Sequence, residues 1–117
     1  MKKTISIFVI LAVCVSLVGC GSSAKLNENN IRVAKSVINS VDAYLDGTKS
    51  AEVTLREVKA EYDNVDPNDE NVGERLMLDL KISSIRLQLI VDHGDVAIIK
   101  EARDEIATLA GLPKYKG

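Results

Sequence analysis

The chain has 117 residues, of which 15 are Lys or Arg and 17 are Asp or Glu, so its length suits a single domain. The slight acidity argues against nucleic acid as a partner, because a negative surface repels phosphates. With three Tyr, one Phe and no Trp, the chain lacks the aromatic platforms that many small-molecule sites use, and no small-molecule substrate is evident.

The chain opens with two positive charges, Lys2 and Lys3, followed by an uncharged apolar run over residues 5–18. A short cationic start and an apolar run of this length are typical of an export signal. The run is shorter than the roughly 20 residues that a transmembrane helix needs. We therefore expect an N-terminal signal that directs the chain out of the cytoplasm.

The apolar run ends in Leu17-Val18-Gly19-Cys20, which resembles the lipobox of bacterial lipoprotein precursors at all four positions. The resemblance implies that residues 1–19 are removed as a signal peptide and that Cys20 receives a diacylglyceryl group. Two acyl chains hold a protein stably on a bilayer. The lipobox thus predicts a protein anchored to the bacterial membrane through Cys20, with its domain on the extracytoplasmic side. Residues 20–25, rich in Gly and Ser, then form the lipidated cysteine and a short flexible tether.

The predicted mature chain contains no thiol for further chemistry. Cys14 leaves with the signal and Cys20 carries lipid, and these are the two cysteines of the chain. Disulfides, thiolate metal sites and cysteine nucleophiles are therefore not expected in the domain. Removing Lys2 and Lys3 from the 15 basic residues leaves 13 against 17 acidic residues, a net charge of −4.

A first helix is predicted to begin near Leu26, where Asn27, Asn29 and Asn30 are candidate N-caps. Asp46-Gly47 predicts its end, because Gly adopts the left-handed conformation that closes many helices. Its apolar residues recur in steps of three and four, at Ile31, Ala34, Val37, Ile38, Val41, Tyr44 and Leu45.

A second helix is predicted after Thr48 or Ser50, either of which can cap it. Pro67 forces the residue before it out of helical geometry, so this helix is expected to end near residues 64–68. Its apolar positions step by four and three, as in the seam between packed helices, at Ala51, Leu55, Val58, Tyr62 and Val65.

A third helix is expected from about Asp69 to Asp92, and a fourth begins after Asp95, a good N-cap. Gly111 and Pro113 end the fourth helix in the usual order. The apolar face of the fourth helix is formed by Val96, Ile99, Ala102, Ile106 and Leu109.

Four helices joined by short loops run antiparallel to their neighbours. The predicted fold class is therefore all-α. We expect a small up-and-down bundle of about four antiparallel helices over residues 26–112, followed by a polar tail at residues 113–117.

The third helix carries two apolar stripes on nearly opposite faces. The Leu76 stripe consists of Leu76, Leu80, Ser83, Leu87 and Ile90. The Leu78 stripe consists of Leu78, Ile82, Ile85 and Leu89. A helix that is apolar all round is covered on both sides, either by sister helices or by another chain. Because the predicted third helix is longer than its neighbours, we expect the Leu78 stripe to extend past them and to form a candidate partner face.

The same segment has an alternative interpretation as a β-hairpin. Residues 78–82 and 85–89 alternate between apolar and polar positions, as strands do. The turn between them would be Ser83-Ser84, which lacks the Gly or Asn that tight hairpins favour. Leu, Lys, Arg and Gln are also better helix formers, so the helix is preferred.

No set of residues indicates a catalytic, cofactor-binding or metal site. His93 is the single His, and with Asp92 and Asp95 it falls short of a zinc ligand set. The sequence of residues 68–79 partly matches the pattern of a calcium-binding loop. Val72 occupies a ligand position of that pattern, so a polar loop without calcium is the better interpretation. The charged residues of the fourth helix are interpreted as a solvated face, namely Lys100, Glu101, Arg103, Asp104 and Glu105.

These observations favour a non-enzymatic, membrane-anchored helical module that binds an envelope protein or a second copy of itself. Two alternatives stay open. One is an exclusion lipoprotein encoded by a phage or plasmid, and the other is a small inhibitor of an envelope enzyme.

Overall fold

The computed structural model describes residues 26–91 and 95–116. The predicted signal peptide, Cys20, the tether and His93 lie outside the described residues. No described helix is long and apolar enough to cross a membrane. The described part of the chain forms four α-helices and no strand: α1 (Glu28–Leu45), α2 (Ala51–Tyr62), α3 (Val72–Val91) and α4 (Val96–Ala110).

Side-chain caps and glycines define the ends of the helices. The side-chain oxygens of Asn27, Ser50 and Asp95 each accept a hydrogen bond from the backbone N–H three residues further on. Each thereby satisfies one donor that the first turn leaves without an intrahelical partner. Gly47 and Gly111 follow α1 and α4 with φ of 82° and 70°, in the left-handed region that glycine adopts without steric cost. The predicted caps of α1, α2 and α4 and the predicted ends of α1 and α4 are thus confirmed.

The loop between α2 and α3 is longer than predicted. α2 ends at Tyr62 and α3 begins at Val72, so α3 has 20 residues where about 24 were expected. Val65, which was predicted to continue the seam of α2, lies beyond the helix end but still packs against the core. α3 runs unbroken through Ser83 and Ser84, so the alternative of a hairpin is wrong.

The helices form a ring in which each packs against its neighbours in sequence and α4 returns to pack against α1. α1 and α3 meet across one diagonal of the ring with few contacts, whereas α2 and α4 do not meet. This arrangement confirms the predicted up-and-down bundle. Its interior is filled almost entirely by aliphatic side chains of all four helices and Leu26: Val33, Ala34, Val37, Ile38, Val41, Val58, Leu78, Ile82, Ile85, Leu89, Ile99, Ala102, Ile106, Ala107 and Ala110.

The candidate partner face predicted on α3 is wrong. The four residues of the Leu78 stripe (Leu78, Ile82, Ile85 and Leu89) are completely inaccessible to solvent and belong to the core of their own chain. The prediction assumed that α3 extends past its neighbours, but the Leu78 stripe faces the interior of the ring over its whole length. The opposite Leu76 stripe is the one that faces solvent.

We predict that Ile82→Glu unfolds the domain. The Ile82 side chain is fully buried, and a buried unpaired carboxylate costs several kcal/mol against a total stability of about 5–15 kcal/mol. Leu80→Glu, two residues earlier on the exposed face, is the matched control and should leave the helix content unchanged. Circular dichroism with thermal unfolding measures both variants. A folded Ile82→Glu domain would contradict this assignment of faces.

Candidate functional site

The polar loop between α2 and α3 holds the start of α1. Asp69 is 1% exposed, and its Oδ2 accepts hydrogen bonds from the backbone N–H of Asn27 at 2.8 Å and from Nδ2 of Asn30 at 2.9 Å. Its Oδ1 accepts from the backbone N–H of Asn71 at 2.9 Å. The buried Asn30 in turn accepts a hydrogen bond from the backbone N–H of Asp66 at 2.7 Å. The carboxylate of Asp69 is thus committed to bonds within the chain.

The environment of Asp69 favours its ionised form. Burial raises the pKa of this carboxyl. The hydrogen bonds from Asn27, Asn71 and Asn30, together with the charge of Arg75, lower the pKa by a larger amount. The net result is a pKa below the usual value for Asp. A carboxylate that accepts several hydrogen bonds is stabilised in this way, so Asp69 is a structural anion that joins the loop to α1.

The interpretation of the charged face of α4 is wrong for Arg103. This residue is 5% exposed, and its Nε and Nη2 donate to the two carboxylate oxygens of Asp42 on α1 at 2.7 and 2.9 Å. Its Nη1 donates to the carbonyl oxygen of Pro113 at 2.8 Å and to Asp104 at 3.1 Å. The hydrogen bonds to Asp42 raise the pKa of Arg103 although burial opposes them.

The C-terminal tail covers this arginine. The backbone N–H of Tyr115 donates to Asp104 at 2.8 Å, and its hydroxyl donates to the carboxylate of Asp46 at the end of α1. The Tyr115 ring lies 5.7 Å from the guanidinium of Arg103. Spacing along α4 alone did not reveal the ion pair with Asp42, because Asp42 lies on α1. Like Asp69, Arg103 serves to hold segments of the fold together.

Few other charged groups converge. Among residues 26–91 and 95–116, no group of three or more His, Cys, Asp or Glu side chains is arranged to hold a metal ion. An open groove of about 480 Å³ runs along the outer face of α4, and charged and small side chains line it: Ala97, Lys100, Glu101, Asp104, Glu105, Thr108 and Lys114.

The outstanding surface feature is the exposed Leu76 stripe of α3. Its four aliphatic residues expose between 53% and 56% of their surface, and Val72 extends the stripe by one turn with 56% exposed. Ser83, at the middle of the stripe, is also exposed. Ile90 lies 18 residues after Val72, so the distance between them along the helix is about 27 Å at 1.5 Å per residue. No charged residue interrupts it.

The two edges of the stripe differ in character. One edge carries Asp79, which pairs with Arg75 at 2.8 Å, and Arg86, whose guanidinium lies 5.0 Å from the centre of the Tyr62 ring. The Nε of Arg86 is buried without a hydrogen-bond partner in the described part of the chain. The other edge is apolar, with Met77 42% and Val91 63% exposed.

One signal in the sequence distinguishes the two stripes of α3. The buried Leu78 stripe contains only Leu and Ile, whereas a serine interrupts the Leu76 stripe at its centre. A hydroxyl in a core needs a hydrogen-bond partner, so the uninterrupted stripe is the better core. Helix length, on which the sequence argument relied, does not carry this information.

Comparison with protein-family models, with curated proteins and with solved structures finds no match to this chain.

We predict that Asp69→Asn lowers the free energy of unfolding by about 2–4 kcal/mol at neutral pH, because an amide NH₂ replaces one of the two acceptor oxygens and faces N–H donors. Since the folded-state pKa of Asp69 lies below its unfolded value, the carboxylate stabilises the fold above about pH 4. That stabilisation is lost as the pH falls through the folded-state pKa. The variant should accordingly lose less stability below pH 4 than the parent.

Denaturant unfolding between pH 2 and pH 7 measures this difference. Glu70→Gln is the control, because the neighbouring Glu70 is exposed and should contribute little. Equal effects of the two substitutions would contradict the role assigned to Asp69.

Proposed function

We propose that this chain is a lipid-anchored bacterial envelope protein whose helical domain binds another protein chain through the Leu76 stripe. The observation that supports binding is the row of half-exposed aliphatic side chains along α3. The proposal assigns the domain a binding role and no catalytic one.

The stripe has the form of a docking surface for a helix. Isolated exposed leucines are common on soluble proteins, but a contiguous apolar patch is a feature of interaction sites. Leu76, Leu80, Ser83, Leu87 and Ile90 follow one another in steps of four and three. This is the spacing at which two helices pack side by side, so a helical partner fits the surface.

The lipobox supplies the proposed location of the domain. Leu26 is buried in the core and the backbone N–H of Asn27 is bonded to Asp69, so the folded domain begins immediately after the predicted tether. Residues 20–25 can span no more than about 22 Å at 3.6 Å per residue. The domain is thereby held close to the membrane, where a partner in the same envelope is concentrated next to it.

We predict that Cys20→Ser abolishes lipidation. Cells that express either form would be fed a fatty-acid probe, and the labelled protein would be detected after purification. The parent chain should carry the label and the variant should not, because its serine has no thiol to modify. Equal labelling of the two would refute the proposed anchor.

We predict that a photo-crosslinking amino acid at position 83 captures a protein in intact cells. Leu80→Glu combined with Leu87→Glu should abolish the captured product, since two carboxylates cannot be buried in an apolar contact. The same crosslinker at the exposed Ala60 of α2 serves as the positional control. A product that persists in the double variant, or none at position 83, would contradict the proposal.

A further inference from the structure

We propose that the occupant of the Leu76 stripe is a second copy of this chain, docked through α3 in the antiparallel direction. This inference rests on the proposed function and specifies its partner. It is carried by two independent features of α3: the symmetry of the stripe about Ser83 and the charges along one edge.

The apolar pattern is nearly symmetric about Ser83. Leu80 and Leu87 lie three and four residues from it, and Leu76 and Ile90 lie seven residues away on either side. A two-fold axis through Ser83, perpendicular to α3, therefore places Leu80 beside the partner's Leu87 and Leu76 beside the partner's Ile90. Such a self-complementary patch is what a two-fold dimer interface requires.

The serine at the centre permits a close approach. With Ser83 on the axis, the two helices cross where each has a small side chain, and the larger aliphatic side chains pack on either side. The exposed hydroxyl of Ser83 then faces the partner's Ser83, where the two hydroxyls can hydrogen-bond to each other.

The charged edge is complementary to itself in the antiparallel direction. A two-fold axis perpendicular to α3 brings the edge with Asp79 and Arg86 against the same edge of the partner. Asp79 lies four residues before Ser83 and Arg86 three residues after it, so Asp79 faces the partner's Arg86, and the partner's Asp79 faces Arg86. Asp79 already pairs with Arg75 at 2.8 Å and Arg86 lies over the Tyr62 ring, so the contact adds an opposite charge across the interface to groups that are held in place within each chain.

The parallel arrangement lacks this match. When two copies of α3 run in the same direction, the Asp79 and Arg86 edge of one copy meets the Met77 and Val91 edge of the other. Two charged groups would then lie against apolar side chains at each edge, which costs desolvation without a new ion pair. In the antiparallel arrangement Met77 instead meets the partner's Val91.

The symmetry is also compatible with a common membrane. A two-fold axis places the two copies of Leu26 at the same height along the axis. Both tethers can therefore enter one bilayer whose plane is perpendicular to that axis. Attachment to the same surface raises the effective concentration of each copy for the other.

Disulfide crosslinking of the full chain in its native envelope tests the arrangement. Leu76→Cys co-expressed with Ile90→Cys should give, on mild oxidation, a product of twice the mass of the chain. Leu76→Cys alone should give none, because the two copies of position 76 lie at opposite ends of the interface. The parent chain and Ala60→Cys are the controls. A product from Leu76→Cys alone would indicate parallel helices and overturn the proposal.

Charge reversal tests the edge independently. In a Ser83→Cys background, Asp79→Lys should reduce dimer capture about tenfold, and the addition of Arg86→Glu should restore it. Circular dichroism would verify that the variants stay folded. Absence of rescue in the folded double variant would overturn the antiparallel pairing.

The mass of the product captured by the position-83 photo-crosslinker separates this inference from the proposed function. Twice the chain mass supports both. A product of another mass supports protein binding but overturns self-association, and no product overturns both.

Discussion

The two apolar faces of α3 are the constraint on which the rest of the structure depends. Each of the four short helices in the ring turns one face toward the interior. For α3 this inner face is the Leu78 stripe. Four fully buried Leu and Ile side chains contribute about 1.5–3 kcal/mol each relative to exposure, a large share for so small a domain. Burial of that face leaves the Leu76 stripe in solvent, because no fifth helix in the described part of the chain covers it.

Two polar clusters fix the ends of α1 and complete the ring. At its start, Asp69 and Asn30 tie α1 to the loop that precedes α3. Near its end, Asp42 is held by the buried Arg103 of α4. The charged groups of both clusters are bonded to partners within the same chain. The buried ionisable residues of both clusters therefore serve the fold, whereas the exposed Leu76 stripe is apolar.

Much of the fold follows from local signals. Asn27, Ser50, Asp95 and Gly111 mark helix boundaries by chemistry that acts within one turn, so they are readable from the sequence. The inward turn of Asp69 and the burial of Arg103 are not, because Asn30 lies 39 residues from Asp69 and Asp42 lies 61 residues from Arg103 in the chain. The two stripes of α3 have the same helical period, and periodicity alone cannot choose between them. Only the serine within one of them favours the other as core.

Helix α3 links the stable bundle to its proposed place in the envelope. One face supplies the core and the other is free for a neighbour brought close by the proposed anchor. We propose that the Leu76 stripe is covered by protein in the cell and exposed to solvent in the isolated domain.

The reactivity of single thiols at Leu80→Cys and Ala60→Cys toward a maleimide measures this directly. The account predicts that the thiol at position 80 is protected in native membranes and reacts as fast as the thiol at position 60 once the purified chain is diluted to a monomer. Equal reactivity of the two positions in native membranes would contradict it.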